Sequence, residues 1–167
     1  MATASHGGMT PTINRRHAIA MLLAGLALPG CGSAAEARPF RVQLSEAEWR
    51  RRLSPAAFAV LRREGTERAY TSPLNGEKRA GTFACAGCGN ALFASRTKFE
   101  SGTGWPSFWQ PLNGAVGTDT DYRLGLPRTE VHCADCGGHL GHVFNDGPRP
   151  TGRRYCMNGV AMTFRTA

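Results

Sequence analysis

The sequence predicts one mainly β domain with short helices at its N-terminal end and a structural metal site. Turn-forming glycine, proline, asparagine and aspartate residues separate short β-type segments from residue 81 onward. Helix-capping patterns stand before that point. Two Cys-x-x-Cys pairs supply four metal-type ligands. A length of 167 residues, of which 41% are hydrophobic, suits a single ordinary core.

Two helices are predicted ahead of the strands. Ser45 and Glu48 have the spacing of a capping box, in which each side chain bonds the other's backbone amide. The second helix spans 54–63, where a serine cap is followed by proline at the first turn. Gly65 is predicted to end this helix, because glycine accepts the left-handed backbone that closes many helices.

The remaining segments are predicted to be strands. They lie near residues 81–84, 91–93, 108–109, 130–132, 142–144 and 155–165. A period of two places Arg154, Cys156 and Asn158 on one face of the last segment. The same period continues into residues predicted to be core, namely Val160, Met162 and Phe164.

The first 37 residues predict an export signal that is separate from the fold. Arg15 and Arg16 precede an apolar run over 18–28, which is too short to span a bilayer and typical of a signal peptide. The arginine pair indicates the twin-arginine route. Residues 38–167 are therefore predicted to form the functional domain.

The processing of this segment has three alternatives. Cleavage after Ala37 is favoured, because small residues precede that bond. Lipidation of Cys31 would instead give a membrane-anchored lipoprotein, and retention would leave an apolar anchor. In every case we expect an exported, periplasmic domain with no membrane span of its own.

The net charge of +8 raises the question of a nucleic-acid partner. The basic residues are scattered, and no run of them reaches five. We therefore interpret them as a solvated basic surface and expect no nucleic-acid binding.

Four cysteines form two Cys-x-x-Cys knuckles, which consist of Cys85 with Cys88 and Cys133 with Cys136. Glycines follow each pair and permit the tight turns that bring two sulfurs to one ion. Two knuckles supply the closed, four-thiolate shell of one structural zinc ion. Two disulfides, or a redox-active pair, are the alternatives.

Cys156 lies outside both knuckles. A lone free cysteine is usually a small buried apolar residue. Its neighbours favour a reactive thiol, because Arg154 is placed to stabilise a thiolate and Asn158 can hydrogen-bond beside it. His139 and His142 can supply an acid or base. Both can reach one pocket only if the chain bends at the glycine between them.

These motifs together resemble the methionine-R-sulfoxide reductase B family. The matching stretches are residues 65–68, both knuckles, 104–108, 137–144, 146–148 and 154–158, in order across roughly 44–165. The resemblance implies a small antiparallel β-sheet barrel with short N-terminal helices and zinc held by the knuckles. It also implies that residues 38–167 are a catalytic domain.

The resemblance implies a role for each site residue. Cys156 would be the nucleophile, and Arg154 would help activate its thiolate. His139, His142 and Asn158 would surround the sulfoxide oxygen, supported by Asp146. Trp105 would line the pocket for the substrate's methyl group, and the aromatic stretch that contains it adds Phe108 as a second substrate-binding residue.

The implied reaction reduces methionine R-sulfoxide, free or in oxidised proteins. Cys156 becomes a sulfenic acid, with His142 favoured as the proton donor. Thr103 stands where many family members carry a resolving cysteine, so an external thiol such as a thioredoxin or a small thiol is expected to regenerate Cys156. Gly159 stands where serine is common, which predicts one missing hydrogen bond. We expect a monomer.

Two rival functions explain part of the sequence. An exported zinc-ribbon module that binds a partner without catalysis would need only the knuckles. A disulfide oxidoreductase would use one knuckle for its chemistry, so changing Cys85 would end activity and spare the fold. The zinc-ribbon hypothesis predicts that function does not need Cys156. The oxidoreductase hypothesis predicts that activity needs the knuckle cysteines and that the fold does not.

Overall fold

The structure is a computed structural model, and it describes Met1 and residues 39–167. The predicted signal segment, the cleavage after Ala37 and the lipidation of Cys31 lie outside the described residues and stay predictions. In the described part of the chain, no helix combines the length and apolar character needed to cross a bilayer.

Two short helices begin the described fold. Helix α1 spans Glu46–Arg52, and its cap is the predicted reciprocal pair of Ser45 and Glu48. Helix α2 spans Pro55–Arg63 and is capped by Ser54, whose hydroxyl accepts the Ala57 amide. Both predicted helices are therefore confirmed.

The end of α2 differs from the prediction. Glu64, and not Gly65, takes the left-handed backbone, with a φ of 53°. The Gly65 amide donates to the Ala59 carbonyl at 2.9 Å, and a Cβ on Gly65 would lie 2.9 Å from that oxygen. The glycine is required by this close approach of two backbones and not by its φ.

Within residues 39–167, nine strands form two antiparallel sheets. They are β1 Gly81–Cys85, β2 Ala91–Ala94, β3 Lys98–Phe99, β4 Ser107–Phe108, β5 Val116–Asp121, β6 Arg128–Cys133, β7 His139–Phe144, β8 Arg154–Met157 and β9 Met162–Thr166. The smaller sheet has the order β2-β1-β9, and the larger has the order β3-β4-β8-β7-β6-β5. The mainly β fold class with short N-terminal helices is confirmed.

The segment predicted as one strand over 155–165 is two strands. A single 3₁₀ turn, Gly159–Ala161, separates β8 from β9 and moves the chain from the larger sheet to the smaller one. The amides of Gly159 and Val160 both donate to the Glu67 carboxylate. At this point the Glu67 side chain therefore accepts the hydrogen bonds that a neighbouring strand would otherwise accept. Met162 is buried as predicted, while Val160 and Phe164 are partly buried against the core.

The core lies between the two sheets. Phe93 of β2 stacks on Phe108 of β4 with ring centroids 4.3 Å apart. Phe83 of β1 also meets Phe108, edge to face at 4.9 Å. Burial of these rings and of the apolar face of α2 holds the larger sheet, which carries the candidate site, against the smaller one.

Candidate active site and metal centre

The four knuckle cysteines converge. Their sulfur atoms all lie within 4.8 Å of one another. Two of the sulfur pairs join different knuckles, at 3.8 Å for Cys85 with Cys136 and 3.5 Å for Cys88 with Cys133. These distances are far above the ~2.05 Å of a disulfide bond, and the cysteines are free thiols. This cluster can hold one metal ion.

The backbone builds each knuckle in the same way. The Gly89 amide donates to the Cys85 carbonyl at 2.8 Å, and the Gly137 amide donates to the Cys133 carbonyl at 2.9 Å. Both glycines have positive φ, of 79° and 65°. The first knuckle follows β1 of the smaller sheet, and the second follows β6 of the larger sheet. A metal here would tie the two sheets together.

The chemistry of the cluster favours a cation. Hydrogen bonding with Cys136 lowers the pKa of Cys133, whereas the same kind of contact with Cys133 raises the pKa of Cys85. Four sulfurs at these distances, three of them on buried cysteines, cannot all be anionic unless a positive ion lies among them. The donor set therefore fits a soft divalent metal.

Cys156 lies at the middle of the larger sheet. It is half-buried on β8, between the buried Tyr155 and Met157, so the predicted alternation holds. Its partner in β4 is Ser107, and its partner in β7 is His142. Directly opposed residues of neighbouring antiparallel strands lie side by side on one face, so the sheet register itself sets Cys156 beside His142.

A pocket of about 120 Å³ opens over this face of the sheet. It is lined by Thr66, Trp105, Arg128, Gly141, His142, Phe144, Cys156 and Asn158. The structure thus brings four of the predicted residues, Cys156, His142, Asn158 and Trp105, around one space. A larger concavity of about 670 Å³ lies between α2 and the 3₁₀ turn, and none of the predicted site residues lines it.

The two histidines are neighbours, as the predicted bend requires. The register of β6 with β7 shifts between Val131 and His132, and the rings of His139 and His142 lie 5.4 Å apart. A Cβ on Gly141 would lie 2.1 Å from the Cys156 carbonyl oxygen, so only glycine permits β7 to approach β8 so closely here.

Each histidine has its own carboxylate. His142 Nε2 lies 2.8 Å from Asp121 Oδ2, which also accepts from the Arg128 guanidinium. The Arg123 amide, His142 and Arg128 hold the pKa of Asp121 well below its usual range. Burial lowers the pKa of His142, and Asp121 opposes that effect. Asp121 is therefore a carboxylate that favours the protonated imidazole.

His139 lies deeper than His142. Its side chain is buried, and its Nδ1 lies 2.7 Å from Glu130 Oε1. It contacts the ring of His142 but is not among the residues that line the pocket. His139 therefore reaches the site through its contact with the His142 ring, and it does not line the open space beside Cys156.

Asp146 forms an ion pair with Arg154 and not with His139 or His142, which it was predicted to support. Arg154 donates to both Asp146 oxygens, at 2.9 and 2.8 Å, and its guanidinium lies 4.4 Å from the centre of the Phe144 ring. This ion pair raises the pKa of Arg154, and the charge of Cys156 adds to the effect. Asp146 is 63% exposed, so it orients Arg154 from the solvent side.

Phe108 does not reach the pocket. Its side chain is fully buried, and it packs on Phe93 and Phe83 in the core. The residue belongs to the two-residue strand β4, where Ser107 faces Cys156 and the next side chain faces the opposite way. Its predicted role in substrate binding is replaced by a role in the core.

The segment after α2 holds the pocket together. The Glu67 amide donates to Asn158 Oδ1 at 2.9 Å, and the Trp105 indole donates to the Glu67 carbonyl at 3.1 Å. Asn158 Nδ2 donates to the Leu140 carbonyl at 3.0 Å. Both ends of the Asn158 amide are therefore used by the backbone, which fixes its place beside Cys156.

The SelR domain family matches residues 53–166 of the chain. The chain belongs to the methionine-R-sulfoxide reductase B family. A protein of Leptospira interrogans called peptide methionine sulfoxide reductase MsrB is 50% identical over 127 residues, which are 75% of this chain and 97% of that protein. This confirms the predicted family and enzyme class.

Further relatives of the same name agree. The one from Bradyrhizobium diazoefficiens is 55% identical over 123 residues, covering 73% of this chain and 88% of its own length. The one from Leifsonia xyli is 54% identical over 128 residues, covering 75% of this chain and 92% of its own. The similarity therefore covers about three quarters of this chain and most of the length of each relative.

Four residues of this candidate site were not predicted from the sequence. Asp121, Arg128 and Glu130 come from β5 and β6, and Glu67 comes from the loop after α2. The Gly65-Thr66-Glu67-Arg68 stretch was recognised as a family motif, but its contacts were not. For Asp121, pairing with a histidine 21 residues away depends on a strand register that no local spacing reveals.

Gly159 has a structural explanation. A Cβ on Gly159 would lie 1.8 Å from the Ser72 hydroxyl oxygen, so the Ser72 side chain occupies the space that a larger residue would need. The Gly159 amide donates to Glu67 instead. A serine at position 159 would clash with the Ser72 hydroxyl, so the structure has no room for the side chain whose hydrogen bond was predicted to be missing.

Proposed function

We propose that this domain reduces methionine R-sulfoxide to methionine, with Cys156 as the attacking thiolate. The observation that carries the proposal is the position of a half-buried free thiol directly opposite His142 in a small pocket walled by Trp105. The relatives' name supplies the substrate, and the R configuration follows from the family.

The reaction balances as a two-electron transfer. The Cys156 thiolate attacks the sulfoxide sulfur, and the oxygen passes to the cysteine sulfur as one proton is taken up. Methionine leaves, so its sulfur is reduced and Cys156 is oxidised to a sulfenic acid. The Trp105 and Phe144 rings offer an apolar wall for the methyl group of the substrate.

His142 is proposed as the proton donor. Its Nε2 is held by Asp121, which leaves the other ring nitrogen for the substrate. The sulfoxide oxygen is a poor base until charge builds on it, so a donor beside the sulfur assists its release. The His139 ring packs against the His142 ring from the buried side, and Glu130 hydrogen-bonds His139.

Arg154 is proposed to favour the thiolate. Its guanidinium is held by Asp146 on one side and lies against Phe144 on the other. A fixed positive charge beside a thiol stabilises the ionised form. The two neighbouring arginines therefore have different proposed roles, since Arg153 is exposed and Arg154 is partly buried and interacts with Cys156.

Zinc is the metal that we propose for the knuckles. Four thiolates satisfy the preferred tetrahedral shell of a structural zinc site and leave no position open for substrate. When bound, the ion supplies only structural stability. The residues that carry the chemistry lie in a different pocket.

Regeneration is proposed to need an external thiol. In the described part of the chain the free cysteines are the four knuckle residues and Cys156. The thiol of a thioredoxin-like protein or of a small molecule would attack the sulfenic acid, which releases water and forms a mixed disulfide with Cys156. A second thiol would then attack the mixed disulfide, which frees Cys156 and joins the two external thiols in a disulfide. Oxidised mature protein should then show no intramolecular Cys156 disulfide by mass spectrometry.

The N-terminal sequence alone supports the proposed location. A paired arginine before a short apolar run favours export to the periplasm, with cleavage after Ala37 or lipid on Cys31. The substrate there would be free methionine sulfoxide or oxidised exported proteins, and we propose that the domain acts as a monomer.

Turnover of separated R and S sulfoxides tests the proposed function. The full processed protein with its metal and a thiol reductant should convert the R epimer and leave the S epimer unchanged. Equal conversion of both epimers, or of neither, would contradict the proposal.

A further inference from the structure

A chain of hydroxyl groups leads away from Cys156 on the side opposite His142. Thr103 Oγ1 lies 3.7 Å from Cys156 Sγ, within reach of a sulfur hydrogen bond. Ser101 Oγ lies 2.8 Å from Thr103 Oγ1 and 2.7 Å from Ser107 Oγ. The chain ends where the Ser107 hydroxyl meets the Trp105 carbonyl oxygen at 3.1 Å.

The loop that carries Thr103 is held in place on both sides. Gly102 and Gly104 have positive φ, of 73° and 90°, and turn the Thr103 side chain back toward the sheet. The Tyr70 hydroxyl donates to the Gly102 carbonyl at 2.7 Å. The Tyr70 amide donates to the Gly104 carbonyl at 2.7 Å, and the Asn75 side chain donates to the same oxygen at 2.9 Å.

The other end of the chain is fixed by the sheet. Ser107 is almost fully buried and is the β4 partner of Cys156. Ser101 connects it to Thr103, so the three hydroxyls join the sheet and the loop around one sulfur. Their spacing is therefore set by backbone structure on each side.

Each hydroxyl has one proton, which allows two directions along the chain. When Cys156 is a thiol, it donates to Thr103, and the bonds run on through both serines to the Trp105 carbonyl. When Cys156 is a thiolate, Thr103 donates to the sulfur and the serines reverse behind it. The reversal exchanges a neutral hydrogen bond at sulfur for a stronger charge-assisted one.

We propose that Thr103 donates a hydrogen bond to the Cys156 thiolate and that Ser101 and Ser107 strengthen it. Thr103 is then a catalytic residue, because it touches the reacting sulfur. The two serines are positioning residues that act through Thr103, since linked hydrogen bonds polarise one another. This inference rests on the proposed function, in which Cys156 attacks as a thiolate.

The pH dependence of Cys156 alkylation tests the inference. Iodoacetamide reacts with the thiolate, and peptide mass spectrometry follows Cys156 separately from the other cysteines in the metal-loaded chain. Thr103→Val should move the midpoint of the alkylation profile to higher pH by about one unit, a tenfold loss of thiolate on its acidic side. Thr103→Ser should restore most of that loss.

The serines give the second arm of the test. Ser101→Ala should move the midpoint in the same direction by a smaller amount. Ser107→Ala should do the same, and its thermal unfolding shows whether this buried change spares the fold. Thr163→Val, at an exposed position of β9, is the matched control and should leave the midpoint unchanged.

Two results would overturn the inference. An unchanged midpoint in Thr103→Val would remove Thr103 as a donor, and an unchanged midpoint in Ser101→Ala would remove the chain behind it. Alkylation needs no sulfoxide, so its outcome is independent of turnover. Failure of the wild-type protein to reduce the R epimer would overturn the proposed function instead.

Discussion

Arg153 and Arg154 are adjacent in sequence and have different surroundings. Arg153 is exposed, whereas Arg154 is held between Asp146 and the Phe144 ring beside Cys156. We expect Arg154→Gln to slow Cys156 alkylation at neutral pH and to lower kcat/KM about tenfold, because one fixed charge near the thiolate is lost. Arg153→Gln is the control, and equal effects of the two changes would contradict the assigned role.

The Asp121–His142 pair predicts a shift in a titration. Burial lowers the pKa of His142, and Asp121 partly offsets this. Asp121→Asn removes that offset, so the pKa of His142 should fall further and its protonated fraction at neutral pH should decrease. The ring signals of His142 in NMR spectra report this directly, and kcat at neutral pH should fall with it.

Asp119→Asn is the matched control for that titration. Asp119 lies two residues earlier on β5 and is exposed, with His132 as its neighbour. The Asp119→Asn change should leave the NMR titration of His142 unchanged. A His142 titration that moved to higher pH in Asp121→Asn would show that the carboxylate does not stabilise the imidazolium.

At the scale of single residues, local sequence predicted the groups that share a strand or follow a motif. The alternation of Arg154, Cys156 and Asn158 needed only the period of a strand. The partners Asp121 and Glu130 could not be found in this way, because strand pairing brings them to the histidines. Phe108 was misplaced because the side-chain direction in a two-residue strand depends on its neighbours.

At the scale of elements, the loop after α2 and the turn between β8 and β9 act together. The Glu67 carboxylate accepts the amides of Gly159 and Val160, while its backbone holds Trp105 and Asn158. One residue therefore positions an aromatic wall, a polar side chain and the exit of the strand that carries Cys156.

Glu67→Gln should destabilise this junction. Two amides would share one neutral acceptor, and we expect a loss of about 1–3 kcal/mol in the free energy of unfolding. Chemical denaturation measures this loss, and KM should rise because Trp105 is less firmly held. Glu64→Gln, which alters only an exposed ion pair, should cost less than about 1 kcal/mol.

Capping patterns predicted both helices, because their signals are local. The strands were predicted where apolar residues alternate. Strand β5 was missed, since Val116–Asp121 is polar and exposed at its centre and owes its form to pairing with β6. The division of 155–165 was also missed, because it depends on a carboxylate more than 90 residues away.

At the scale of the whole molecule, the cysteine cluster connects the sheets that enclose the core. The knuckles follow β1 and β6, which belong to different sheets. The doubled spacing was enough to predict this centre, since four cysteines in two turns can meet at one ion. Removal of the proposed zinc ion should therefore loosen the contact between the sheets.

Cys85→Ser should release the metal and lower the melting temperature by about 10 °C or more, because metal binding contributes directly to folding. Metal analysis and thermal unfolding measure the two effects. Cys156→Ser is the control from the same residue type and should keep both metal and stability. A Cys85→Ser protein with unchanged melting temperature would contradict a structural role of the cluster.

The central claim is that one sulfur, Cys156, performs the reduction on a scaffold held by the knuckles. Its most direct test is the rate of R-sulfoxide reduction by Cys156→Ser protein whose metal content and melting temperature match the wild type. The account predicts no turnover above the uncatalysed rate. Conversion of the R epimer at a rate near that of the wild type would contradict it.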